Sequence, residues 1–226
     1  MKKLDKNSPE FRAQLFRYSL GEDIGNAVSH CVGAFIALGL LVSLAWIAGR
    51  YGTSVLDTFA FVFYGVTILF MFVMSTVYHS MTNSTARVVM KRLDHIAIFI
   101  LILGSYTPFV FCLLKSKNAY IIYGIIFALT VLGTVFKAFY AGKFKKTSTF
   151  IFVLMGWLSV ILLPQIIKNL PHAGVVFFVT GGLIYTIGAI IYALSKFKYS
   201  HMIWHIFVLL AAISMYISIA FYILQK

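Results

Sequence analysis

The chain has 226 residues, of which 61% are hydrophobic and only 11% charged, against about 25% charged in soluble domains. That balance excludes an ordinary soluble domain. The net charge of +13 comes from basic residues scattered in short connections between apolar runs, which fits membrane topology and anionic lipid and argues against nucleic acid as a partner.

The first apolar run starts near Ala27, after a polar, charged leader, too late for a cleaved signal peptide, so the N-terminus is expected to stay. Within the leader, Ser8 and Pro9 read as a helix start. Phe11, Leu15 and Tyr18 share one face, so residues 8–20 form either a short interfacial helix or a basic tail. Seven apolar stretches follow, near 24–49, 57–79, 92–114, 119–140, 148–168, 174–195 and 201–224, each close to the ~20 residues that cross a bilayer. The expected fold is an all-α integral membrane protein, with residues 1–23 as an N-terminal segment and 24–226 as a seven-helix bundle. Cys31 and Cys112 fall near opposite membrane faces, and no disulfide is expected between them.

Lys and Arg set the orientation. Fourteen of the nineteen fall in the N-terminal tail and the second, fourth and sixth connections, counting Lys137 as snorkelling from its helix end. By the positive-inside rule the N-terminus is cytoplasmic and the C-terminus external.

With that topology, the polar residues of the spans collect at the cytoplasmic end. His201 and His205 are one helical turn apart, as are Ser75 and His79, while Glu22, Asn26 and His30 repeat at four along the first helix. Asp94 and His95 open the third. Ionisable groups in apolar spans are costly unless paired or coordinated, and three neutral imidazoles plus one open position form a catalytic zinc pattern. Asp94 would then hydrogen-bond the metal-bound water or act as its base, and Ser75 would orient the reacting carbonyl or stabilise an oxyanion. Each has a plainer alternative. The His201–His205 pair could face headgroups, Asp94 could pair with Lys91 or Arg87, and Ser75 could bond the carbonyl of residue 71. His95 points about 100° from Asp94 and reads as a packing or hydrogen-bonding residue. His172 reads as a loop residue on the far side.

The ordered set Glu22-x-x-x-Asn26-x-x-x-His30, Ser75-x-x-x-His79, Arg92-Leu93-Asp94-His95, Gly104-Ser105-Tyr106-Thr107-Pro108-Phe109 and His201-x-x-x-His205 resembles the haemolysin III family. That family is the bacterial branch of the progestin and adipoQ receptor family, which includes the adiponectin receptors. The resemblance covers nearly the whole chain. It implies Zn2+ held by His79, His201 and His205, Asp94 reaching the metal through water, Ser75 nearby, and a location in the bacterial inner membrane. It also implies one of two functions. One is a ceramidase-like hydrolase of an amide or ester bond in a membrane lipid, either a ceramide-like lipid or a phospholipid. The other is a non-enzymatic lipid sensor or cytolytic pore-former with zinc as a structural clamp.

Overall fold

The computed structural model describes residues 18–82, 84–140, 144–195 and 197–224. The leader helix expected over 8–20 lies almost wholly outside them. Among the described residues the secondary structure is entirely helical: α1 (Leu20–Tyr51), α2 (Val55–Ser80), α3 (Ser84–Pro108), α4 (Lys117–Tyr140), α5 (Lys145–Trp157), α6 (Leu163–Asn169), α7 (His172–Leu194) and α8 (Ser200–Tyr222). A 3-10 stretch, Leu158–Leu162, joins α5 to α6, so the two form one span, and among the described residues seven helical spans are long and apolar enough to cross a membrane.

Local chemistry sets the helix boundaries. Ser19 caps α1 through a capping box: Glu22 N donates to Ser19 Oγ at 3.4 Å, and Ser19 N donates back to Glu22 Oε2 at 3.0 Å. The helix therefore begins before the apolar run does and includes Asp23. Ser54 caps α2 in the same way, accepting from Asp57 N at 3.2 Å. Pro108 cannot donate to the helical ladder. The chain continues from it as a π-helical turn, Phe109–Leu114, closed by Lys115 at φ 45°. Where α5 tightens toward the 3-10 stretch, the Tyr106 hydroxyl donates to Met155 O at 2.7 Å, with Gly156 O at 3.0 Å.

α2 and α3 form the middle of the bundle. In α3, 67% of the apolar window is buried, against 17% in the α5–α6 span, which faces outward. α1 packs along α2 and closes the bundle against α8, and α7 pairs with α8. Gly174, Gly181 and Gly188, seven residues apart, line the side of α7 that meets α8. Hydroxyls stitch the same pair together, with Ser214 Oγ donating to Phe177 O and Ser218 Oγ to Gly174 O, both at 2.8 Å. Lys137, expected to snorkel, is instead buried at 1% exposure. Cys31 and Cys112 are both free thiols.

Candidate metal centre

Helix direction brings four segments to one end of the bundle: the starts of α1, α3 and α8 and the end of α2. Many of their polar residues are buried, among them Asn26, His30, Ser75, His79, Arg87 and His205. His79, His201 and His205 offer one ligand atom each, all within 4.8 Å of one another.

Hydrogen bonds fix which nitrogens are free. His205 Nδ1 lies 3.1 Å from Asn26 O and 3.1 Å from Ser29 Oγ, whose own proton goes to Asn26 O at 2.9 Å. Both partners can only accept, so Nδ1 carries the proton and Nε2 keeps its lone pair. His79 Nδ1 lies 2.9 Å from Asp23 Oδ1, a carboxylate, and the same logic frees its Nε2. That Nε2 faces His201 Nε2 at 3.2 Å. Two lone pairs at that separation repel unless a proton or a cation lies between them. Two nitrogens bound to one tetrahedral zinc at 2.0–2.1 Å would be roughly 3.3 Å apart. The donor set therefore fits a metal such as zinc.

Aromatic rings surround the cluster. Tyr18 stacks on His201 with ring centroids 4.9 Å apart, and Tyr192 leans on it at 5.0 Å. His30 stacks on His205 at 3.5 Å and meets the Phe72 edge at 4.9 Å.

The other sequence-derived residues divide into those at the cluster and those beside it. Ser75 sits one turn from His79, and its buried hydroxyl has no partner, so the alternative bond to the carbonyl of residue 71 is not formed. Thr76 makes such a bond, to Phe72 O at 2.8 Å. Both ring nitrogens of His30 and the side-chain oxygen of Asn26 are likewise buried without partners. Asn26 Nδ2 approaches His79 Nδ1 at 3.5 Å, donor against donor. Turning that amide over would give its orphan oxygen a proton to accept. Glu22 points away from the cluster: besides its part in the cap, it accepts from Tyr199 N at 3.1 Å, tying α1 to the α7–α8 connection. Asp94 is outside the three-histidine group, with Oδ2 3.6 Å from His95 Nδ1, and His95 Nδ1 donates to Lys91 O at 2.7 Å. His172 is the exposed first residue of α7.

Sequence reasoning missed Asp23 and considered Arg87 only as a partner for Asp94; Arg87 Nη2 donates to Asp23 Oδ2 at 2.6 Å. The signal was legible. Ser19-x-x-Glu22 is a capping-box spacing that commits Glu22 to the helix start, and Asp23, Asn26 and His30 at i, i+3 and i+7 share one face.

Comparison with known proteins gives the family. A family model described as "Haemolysin-III related" matches residues 18–216. "Hemolysin-3 homolog" of Bacillus subtilis (strain 168) is 35% identical over 205 residues, covering 91% of this chain and 96% of that protein. "Hemolysin-3" of Bacillus cereus is 34% identical over 203 residues, covering 90% and 92%. "Monocyte to macrophage differentiation factor" of Homo sapiens is 28% identical over 169 residues, covering 72% and 70%. With the family match running from the start of α1 into α8 and including the residues of the histidine cluster, the chain belongs to the haemolysin III-related family.

Proposed function

We propose that the protein is a zinc-dependent hydrolase embedded in the bacterial inner membrane, cutting an amide or ester bond of a membrane lipid. One observation carries this reading: three imidazoles from two helices converge inside the bundle, and the neighbours of His79 and His205 leave the Nε2 lone pair of each free to bind. Held by His79, His201 and His205, zinc would supply a Lewis acid and a water acidified toward neutral pH.

The surrounding residues fit the chemistry. The unpartnered Ser75 hydroxyl is free to donate to a substrate carbonyl oxygen, and such a donor matters most where water is excluded. Asp94, at the start of α3, is the proposed proton acceptor. The aromatic rings of Tyr18, Tyr192 and Phe72 around the histidines would offer apolar contact to a ceramide-like lipid or a phospholipid. A second reading is a haemolysin-like membrane protein in which the metal is a structural clamp. It is favoured by the names of the bacterial relatives and by the place of Asp94 outside the cluster.

The test joins metal analysis to lipid turnover. Purified protein is expected to carry about one zinc per chain, and His79→Ala, His201→Ala and His205→Ala each to lower that sharply, since two ligands hold zinc poorly. His95→Ala and His172→Ala should leave it bound. Cleavage of ceramide or phospholipid by the wild type, lost in the three ligand variants, supports the hydrolase. Metal content without cleavage of either lipid favours the clamp, and full occupancy after loss of any proposed ligand overturns the site itself.

A further inference from the structure

The free nitrogen of His79 is set by a charged side chain. Asp23 reaches it from α1 with one carboxylate oxygen, 2.9 Å from Nδ1, and gives the other to Arg87 of α3 at 2.6 Å. Arg87 is itself fixed: Nη1 donates to Met81 O at 2.8 Å, and its guanidinium lies 5.0 Å from the centre of the Tyr78 ring. The side chains of His79 and Arg87 are 0% and 2% exposed, so this chain of contacts is largely screened from water.

We propose that Asp23, held in place by Arg87, is a positioning residue that fixes the tautomer of His79 and thereby sets the metal affinity of the three-histidine cluster. The affinity half of this statement rests on the metal-site reading above; the tautomer half does not. A carboxylate only accepts, so Nδ1 must carry the proton and Nε2 must present its lone pair toward His201. Asp23→Asn would reverse this. Arg87 has only donors, so it would take the amide oxygen and leave the amide NH2 facing His79 Nδ1. Nδ1 would become the acceptor, and the proton would move to Nε2, where it blocks the ligand position.

The test uses the full-length protein in detergent with two independent readouts. The first is Co2+ or Zn2+ affinity, measured by competition with a chelator. Partners that orient a ligating histidine typically contribute 10–100-fold in metal affinity, so Asp23→Asn is expected to weaken binding by about that factor. Asp23→Glu, which restores the carboxylate, should recover most of it. The second readout is the 15N spectrum of ring-labelled histidines in metal-free protein, with the His79 signal identified by its loss in His79→Gln. It should report an Nδ1–H tautomer in the wild type and an Nε2–H tautomer in Asp23→Asn.

An Nε2–H tautomer at His79 in the metal-free wild type overturns the proposal without any Asp23 variant, so a misfolded mutant cannot rescue it. Unchanged metal affinity in a folded Asp23→Asn also overturns it, provided His205→Ala loses the metal. If the wild type binds neither ion, the metal-site reading fails and the affinity half fails with it. The 15N readout then still decides the tautomer half.

Discussion

Two carboxylates near the histidines have different claims on the chemistry. Asp23 contacts a clustered histidine directly, while Asp94 lies outside the cluster, with His95 Nδ1 3.6 Å away. Asp94 is therefore not expected to hold the metal. Its proposed role is to accept a proton, which asparagine cannot do despite its similar shape. Asp94→Asn is expected to keep most of the zinc and lose lipid hydrolysis, measured on one preparation with the wild type alongside. A variant that retains both zinc and cellular activity would remove the hydrolase centre and leave the clamp. Ser75 makes a parallel case, since a buried hydroxyl without a partner costs about 1–3 kcal/mol unless a ligand or water satisfies it.

At the scale of elements, the cluster depends on how closely α8 approaches α7. A Cβ added at Gly188 would fall 2.6 Å from Phe207 Cβ and 3.0 Å from Trp204 Cε3, on either side of His205 in the α8 sequence. Phe207 Cβ is next to the backbone and cannot swing aside, so α8 itself would have to move. Gly188→Ala is expected to cost about 1–3 kcal/mol, the usual penalty for overpacking. It should lower both the detergent Tm and the metal content, because displacing α8 carries His201 and His205 with it. At Gly39 a Cβ meets nothing within 4 Å, so Gly39→Ala is the control that should leave metal content alone. α1 shows how an element boundary changes a site. The apolar run suggests a start near residue 24, but the Ser19 cap starts the helix at Leu20 and turns Asp23 into the bundle.

For the whole molecule, orientation is the remaining test. By sequence the basic residues fall mostly in the connections at the end that holds the histidines, and the positive-inside rule makes that end the expected cytoplasmic one. A reporter fused after Lys226 is therefore expected to read as external, and one inserted in the 141–147 connection as cytoplasmic. The reverse pattern would place the histidine cluster at the outer face, and a lipid substrate would then have to come from the outer leaflet.

The sequence by itself determined the class, the seven spans and the group of polar residues at one end. Apolar length and four-residue spacing are local properties, and the bilayer fixes helix direction once the spans are known. That was enough to put His79 at the same end as His201 and His205, more than a hundred residues apart, and the family resemblance singled out these three. The capping-box spacing set Glu22 apart, but the tertiary structure decided which acid stands beside the histidines. Asp23, Glu22 and Asp94 are all compatible with a polar face by spacing. Only the packing of α1 against α2 and beside the α7–α8 connection gives His79 to Asp23 and Tyr199 to Glu22, while Asp94 keeps to its chain neighbour His95. Tautomers were equally hidden, because a ring nitrogen's state depends on a carbonyl or carboxylate supplied by another helix, and such a partner leaves no mark in the histidine's own sequence neighbourhood.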